Sequence, residues 1–157
     1  MIRLLNNNDT VKVIQLMDKY ISTGQNHIGL QRNEAAWIQF YLNILSEQNK
    51  NNPHNYAVGD FEKNNLRGFL LASTYSSHYN NDVIMDVKDC IVDFEYNTTY
   101  TTIRLFNSLM EHIKKYKGVR WRADSIRAEE HTKQYAKLLK LKYNAEIYFS
   151  AHGTIGE

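Results

Sequence analysis

The chain has 157 residues, of which 43% are hydrophobic and 23% charged, a balance typical of one globular domain spanning residues 1–157. With 19 basic and 17 acidic side chains, the net charge of +2 gives no clear signal for nucleic acid or a membrane surface as a partner. The single cysteine, Cys90, excludes an intrachain disulfide and a multi-cysteine zinc site, and it fits a reducing, cytoplasmic setting.

No stretch resembles a secretion signal or a membrane span, so we expect a soluble cytoplasmic protein without a membrane partner. The six histidines show no ligand spacing, and no metal site is predicted. The abundance of Asn, Lys, Tyr and Ile, with a single proline, is typical of an AT-rich genome such as that of some viruses.

The N-terminal third predicts a strand followed by two helices. Ile2 to Leu5 reads as a short strand, and Asn7 to Asp9 as the cap of a helix over residues 9–22 whose apolar residues recur at helical spacing. A second helix opens at Asn33 and Glu34, and the polar stretch from Glu47 to Asn55 ends it.

The middle of the chain predicts three strands. Tyr56 to Phe61 and Leu66 to Tyr75 form a hairpin through Glu62 to Asn65. The third strand, Asp82 to Val92, alternates apolar and polar residues, so one of its faces should be buried. That face would carry Val83, Met85, Val87 and Ile91.

The C-terminal part alternates helices and strands. An amphipathic helix covers Ile103 to Lys117 and is closed by Gly118; a strand follows at Val119 to Asp124. Since a helix joins it to the strand ending at Val92, we expect these two strands to be parallel neighbours that splay apart. A fourth helix carries Tyr135, Leu138, Leu139 and Lys142, and a last strand covers Ala145 to Ala151.

The junction between the strand ending at Val92 and the next helix carries the most informative pattern. The first amides of a helix have no partner within it, so its N-terminus favours anions. Val92, Glu95 and Tyr96 match the strand end Val-x-Pro-Glu-Tyr of the GNAT superfamily of acetyl-CoA-dependent N-acetyltransferases, which the chain also resembles in the order of its elements. The resemblance implies an α/β (α+β) fold with a mixed, mostly antiparallel twisted sheet and helices on both faces.

In GNAT proteins the amides of the next turn, Arg-Gly-x-Gly-x-Gly, hold the pyrophosphate of coenzyme A. Here Asn97 takes the place of Arg, while threonine and tyrosine take the place of glycine, and two interpretations are open. Either threonine hydroxyls join the amides in binding phosphate, or Asn97 or Thr98 caps the helix and Tyr100 fills the groove. The cofactor-binding residues implied by the resemblance are Val92, Asn97, Thr98, Thr99, Tyr100, Thr101 and Thr102.

Acetylation of an amine needs a base for the amine and an acid for the leaving thiolate. The resemblance implies a tyrosine of the fourth helix as the acid, here Tyr135, whose alternative role is core packing with Leu138 and Leu139. Asp89 is the candidate base, since it falls near the end of an apolar strand, unless a bulge turns it outward. Asp124 is a second candidate base.

Two functions follow from this resemblance. The first is an N-acetyltransferase that moves acetyl from acetyl-CoA to an amine of a small molecule or a protein. The alternative is an inactive GNAT-fold protein that serves in binding or assembly, for example in a viral particle. Binding of acetyl-CoA distinguishes the two, because only the enzyme requires it.

Overall fold

A computed structural model describes residues 1–22, 33–50, 52–76, 82–116, 119–123 and 129–146. The strands within these ranges are β1 (Ile2–Leu4), β2 (Asn55–Glu62), β3 (Asn65–Ser76), β4 (Val83–Val92) and β5 (Val119–Ala123). The α-helices are α1 (Thr10–Ser22), α2 (Glu34–Asn49), α3 (Thr98–Ile113) and α4 (Glu129–Tyr143). The strands form one sheet in the order β1-β2-β3-β4-β5, antiparallel except for the parallel pair β4 and β5.

The predicted order of elements is confirmed over the described residues, and the boundaries shift where caps decide them. The helix predicted from Ile103 begins at Thr98, because Asn97 caps it, and it ends at Ile113. Before α1, Asn6 caps a short 3-10 helix at Asn7–Asp9, so the cap lies earlier than predicted. The predictions that concern Gly118, Asp124 and the strand beyond residue 146 lie outside the described residues.

Two apolar layers cover the sheet, one on each face. Helices α1 and α2 pack on one face and α3 and α4 on the other, so each helix buries the stripe that its periodicity predicts. The first layer includes Val13, Leu16, Met17, Tyr41, Ile44, Leu45, Phe69, Leu71 and Ile91. The second includes Val58, Leu70, Met85, Val87, Cys90, Leu105, Phe106, Leu109, Tyr135 and Leu139.

A β-bulge at Lys88 divides β4 into two halves that face opposite ways. Leu71 of β3 pairs with Asp89, while the next residue, Ala72, pairs with Val87, so Lys88 is the extra residue. The prediction that Ile91 shares a face with Val87 is therefore wrong. Val87 faces α3 and α4, whereas Ile91 belongs to the layer under α1 and α2.

Strands β4 and β5 are parallel neighbours, as predicted. Their pairs run from Val83 opposite Val119 to Val87 opposite Ala123. Strand β4 continues beyond this last pair to Val92, so its C-terminal half has no β5 residue beside it in the described part of the chain. This half of β4 lies at the end of the sheet where α3 begins.

The first turn of α3 lies directly on the sheet at Gly68. A Cβ atom at Gly68 would come within 2.9 Å of the Ile91 carbonyl oxygen, 3.0 Å of Thr101 Cγ2 and 3.1 Å of Val92 Cγ2. Thr101 is only 1% exposed, because it fills the space above this glycine. The absence of a side chain at Gly68 thus sets the height of the helix start above β3.

We expect Gly68→Ala to lower the free energy of unfolding by about 1–3 kcal/mol, because the added methyl group is too close to the backbone of β4 and to Thr101. Urea denaturation followed by circular dichroism measures the change. Adding Thr101→Ser, which removes Cγ2, should recover part of the loss. A Gly68→Ala protein as stable as the wild type would contradict the close approach.

Candidate active site

The first turn of α3 leaves two backbone amides open. Asn97 Oδ1 accepts a hydrogen bond from the Tyr100 amide at 2.9 Å, and the Asn97 carbonyl accepts one from the Thr101 amide at 3.0 Å. The amides of Thr98 and Thr99 have no hydrogen-bond partner among the described residues, and both residues are exposed. These amides and the positive end of the helix dipole form the anion-favouring feature that the sequence predicts.

The structure divides the four threonines among the predicted cofactor-binding residues into two groups. Thr98 and Thr99 present amides and hydroxyl groups to solvent, whereas Thr101 and Thr102 are 1% and 5% exposed and face the core. The predicted cap at Asn97 is confirmed, and it occupies only the Tyr100 amide. The cap and the open amides therefore occur together in this turn.

Tyr100 stands where the family pattern has a glycine, and its side chain leans along the helix. Its ring is 51% exposed, and its hydroxyl accepts a hydrogen bond from Arg104 Nη1 at 3.3 Å. The Arg104 guanidinium lies 5.4 Å from the ring centroid, within the range of a cation–π contact. Because Arg104 is one turn further along α3, these contacts hold the Tyr100 side chain to a neighbour on the same helix.

Beneath this turn, the fully buried carboxylate of Asp60 anchors two arginines. Arg67 Nη2 donates to its two oxygens at 3.1 and 3.0 Å, and Arg104 Nη2 lies 3.2 Å from Oδ1. Arg67 is the extra residue of a second bulge, since Asp60 pairs with Gly68 and Phe61 with Leu66. The bulge turns Arg67 toward Asp60, and the resulting cluster fixes Arg104 beside the start of α3.

Helix α1 contacts the loop between β4 and α3 through Lys19. Its ammonium lies 2.8 Å from Asp93 Oδ1 and 2.8 Å from Glu95 Oε1, and 4.7 Å from the ring of Phe94. Hydrogen bonds to Asp93 and then Glu95 raise the pKa of Lys19. The Asp93 amide donates to the Arg67 carbonyl at 2.8 Å, so the loop is held by helix α1 and by the backbone of β3.

Asp89, the candidate base, faces α2 because of the bulge at Lys88. The indole Nε1 of Trp37 donates to Asp89 Oδ2 at 3.0 Å. Trp37 stacks on Tyr41 with ring centroids 5.8 Å apart, so packing fixes the orientation of this donor. The predicted bulge is confirmed, and it turns Asp89 toward α2 rather than outward to solvent.

Four further residues form a network on the same face of the sheet as Asp89 and were not predicted as site residues. Asp86, which is 3% exposed, accepts hydrogen bonds from Arg122 Nε and Nη2, each at 3.2 Å, and from the Lys88 ammonium. The Arg122 guanidinium and the Lys88 ammonium lie 5.5 and 5.9 Å from the ring centroid of Tyr75. We call Tyr75, Asp86, Lys88, Asp89 and Arg122 the bulge cluster.

The spacing of these residues in the sequence does not predict the bulge cluster. Asp86 and Asp89 are three positions apart, and in a regular strand such residues face opposite ways. Only the extra residue at Lys88 places both on the face that α2 covers in part. The available signal was the run Asp-Val-Lys-Asp within an otherwise apolar strand.

Tyr135, the candidate acid, is buried between α4 and α3. It is 8% exposed, and its ring meets that of Phe106 edge-on with centroids 6.0 Å apart. Nearby, the Tyr143 hydroxyl donates to the Ile103 carbonyl at 3.0 Å, and burial raises the pKa of Tyr143 to about 12. Tyr135 and Asp89 lie on opposite faces of the sheet, so the structure does not bring these two predicted residues together on one face.

Solved acetyltransferases share the fold of this chain over nearly their full length. A predicted acetyltransferase from Clostridium acetobutylicum, solved with acetyl-CoA, superimposes with a TM-score of 0.72 at 9% identity, covering 99% of this chain and 96% of that chain. The chain has the GNAT fold. The ribosomal-protein-alanine N-acetyltransferase of Brucella melitensis gives a TM-score of 0.66 at 15% identity, covering 98% of each chain. Glucosamine-6-phosphate N-acetyltransferase of Arabidopsis thaliana gives 0.65 at 16% identity, covering 97% of each.

The similarity to known proteins is structural. No family model matches the sequence, and no curated protein matches it either. The GNAT fold implied by Val92, Glu95, Tyr96 and the element order is therefore confirmed by the shape of the chain. Among the described residues, no helix is long and apolar enough to cross a membrane, and no group of three or more His, Cys, Asp or Glu side chains is placed to bind a metal.

We expect Asp60→Asn to lower the free energy of unfolding by about 3–5 kcal/mol, since Arg67 and Arg104 would lose the buried charge that compensates them. Urea denaturation at neutral pH measures this loss. The matched control is Glu62→Gln, which removes an exposed carboxylate 3.4 Å from Arg67 and should change stability by less than about 0.5 kcal/mol. Equal effects of the two changes would show that Asp60 does not anchor the start of α3.

Proposed function

We propose that this GNAT-fold protein is an N-acetyltransferase that moves acetyl from acetyl-CoA to the amine of a small molecule or a protein. One observation carries the proposal. The open amides of Thr98 and Thr99 lie at the start of α3, next to the half of β4 that extends beyond its pairing with β5. An anion-binding turn next to a strand end that extends past its parallel neighbour suits a long ligand with a phosphate group in its middle.

The residues of the turn fit the pyrophosphate of acetyl-CoA. The amides of Thr98 and Thr99 would hold it, with the two threonine hydroxyls as further donors. Tyr100 leaves these amides uncovered because its hydroxyl is held by Arg104. Asn97 supports the turn as its cap, and Val92 is half-buried at the end of β4, just before this turn.

Acetyl-CoA, when bound, would supply an acetyl thioester whose carbonyl carbon accepts the amine nitrogen and whose sulfur leaves. Asp89 would take a proton from the acceptor ammonium, since a neutral amine is the nucleophile. The Trp37 indole keeps Asp89 Oδ2 in place for this proton transfer. Tyr135 would return a proton to the departing sulfur, which is the role that the family resemblance implies for a tyrosine of the fourth helix.

One observation favours the alternative of a GNAT-fold binding or assembly protein. Thr98, Tyr100 and Thr102 replace the glycines of the turn, and Thr102 is packed in the core. Glycine permits a closer approach of backbone to phosphate than threonine does. A wild-type protein that does not bind acetyl-CoA would favour this alternative, which includes the viral role suggested by composition. The cytoplasmic setting fitted by the single cysteine stays part of the proposal.

The substitution Thr98→Pro tests the role of the open amides. Proline is well tolerated at the first position of a helix, and the φ of −67° and ψ of 97° at Asn97 suit a residue that precedes proline. The change removes one N–H, so we expect acetyl-CoA to bind about tenfold more weakly by isothermal titration calorimetry. Thr98→Ala is the control, because it keeps the amide and removes the hydroxyl. Binding that is unaffected by proline would place the cofactor elsewhere.

Two further variants separate the proposed acid and base. Asp89→Asn should lower kcat by about a hundredfold, because no base remains. Tyr135→Phe should lower kcat roughly tenfold while the Kd for acetyl-CoA stays unchanged, because only proton donation is lost. Steady-state kinetics with a generic amine acceptor gives both values. Unchanged turnover in either variant would remove that residue from the mechanism.

A further inference from the structure

The bulge cluster presents opposite charges at two places on one face of β4. Asp89 lies beyond the bulge, where Trp37 donates to its Oδ2, and Asp86 lies before the bulge, where it pairs with Arg122 and Lys88. Because Lys88 is the extra residue of the bulge, Asp86 and Asp89 lie opposite Ser73 and Leu71, which are two residues apart on β3 and thus about 7 Å apart along the strand. The face therefore has an acidic position near α2 and a second position near β5.

The second position is cationic at its surface. Asp86 is nearly buried, whereas the side chains of Lys88 and Arg122 are 37% and 51% exposed. One carboxylate stands against two cations, so this trio carries a net charge of +1. Because the negative charge is the buried one, the groups that a ligand meets first are the ammonium and the guanidinium.

Tyr75 adds a flat wall to the cationic position. Both cations lie within 6 Å of its ring centroid, on a side chain that is itself half-buried at the end of β3. The hydrogen bonds to Asp86 and the ring contacts limit the rotamers of Lys88 and Arg122. Cations held in this way lose less conformational entropy when they bind a ligand.

From this arrangement we infer that the acceptor is an amine that also carries an acidic group, a carboxylate or a phosphate. Its ammonium binds at Asp89 and its acidic group binds at Lys88 and Arg122. This inference rests on the proposed acetyl transfer and narrows it to one class of acceptor. Arginine and lysine are the side chains suited to carboxylate and phosphate groups, and here they lie one bulge away from the base.

Binding is tested first without cofactor, through the indole N–H signals of the two tryptophans in an ¹⁵N-labelled sample. Trp37 donates to Asp89, whereas Trp121 packs against Phe106 on the other face of the sheet and serves as an internal control. We expect γ-aminobutyrate or phosphoethanolamine to shift the Trp37 signal at concentrations at least fivefold lower than n-butylamine or ethanolamine. If each acid-bearing amine shifts the Trp37 signal at the same concentration as its partner without the acid, the inference is overturned.

Kinetics then tests the two cations separately. The measured quantity is the ratio of kcat/KM for each acid-bearing amine to that of its partner without the acid. We expect Lys88→Gln and Arg122→Gln each to lower this ratio at least fivefold for the carboxylate pair, the phosphate pair or both, which also identifies the acidic group. The matched control is Arg120→Gln, because Arg120 is a 74% exposed arginine of the same strand that pairs with Asp82, outside the bulge cluster.

The outcomes separate this inference from the proposed function. If acetyl-CoA binds and amines are acetylated with the same ratio in wild type, Lys88→Gln and Arg122→Gln, the inference fails while the proposed function stands. If acetyl-CoA does not bind, the proposed function fails, and the Trp37 titration still reports whether the bulge cluster selects acid-bearing amines. A fall in the ratio for Arg120→Gln equal to that for Arg122→Gln would also overturn the inference, because it would show a general effect of surface charge.

Discussion

The extra residue in β4 determines what each face of the sheet can do. Without a bulge at Lys88, Asp89 would lie under α3 among apolar side chains, and Ile91 would face the same way. The bulge exchanges these faces after Val87. Asp89 then reaches the indole of Trp37, and Ile91 completes the core beneath α1 and α2. One unpaired residue thus gives a strand whose middle is apolar toward α3 and carries the polar residues of the bulge cluster on its other face.

A second constraint fixes the position of α3 relative to the sheet. Thr101 packs on Gly68 below the first turn, while Asp60 holds Arg104 from the side. The first contact lies within one turn of the open amides of Thr98 and Thr99, and the second lies within two turns. The amides are therefore carried by a helix start that cannot move independently of β2 and β3, and such rigid placement is what an anion-binding turn requires.

The sequence predicts the fold well because the fold depends on local periodicity. Three signals depend only on residues close together in the chain: helical spacing, strand alternation and the cap at Asn97. Together they lead to the observed order of elements. The GNAT resemblance was found from Val92, Glu95 and Tyr96, although the glycines of the turn are absent. The boundaries of α3 shifted at both ends, because the cap at Asn97 starts the helix at Thr98 and the helix ends at Ile113 rather than at Lys117.

The site is predicted less completely because it depends on long-range pairing. Which residue of β4 is left unpaired is set by its register with β3, and no local pattern reveals this choice. The ion pairs that join Asp86 to Arg122 and Asp60 to Arg104 link residues far apart in the chain. Thr101 and Thr102 also look like their neighbours Thr98 and Thr99 in the sequence, and only packing shows that they face the core.

The contact between Lys19 and the loop before α3 has a consequence for ligand affinity at a distance. Asp93 and Glu95 place two negative charges close to the amides that would hold a phosphate, and their electrostatic field opposes an incoming anion. Lys19, which lies on α1, partly cancels that field, although α1 and α3 cover opposite faces of the sheet. The strength of anion binding at α3 is thus partly set by a residue that need not touch the ligand, and mobile ions in the buffer act on the same balance.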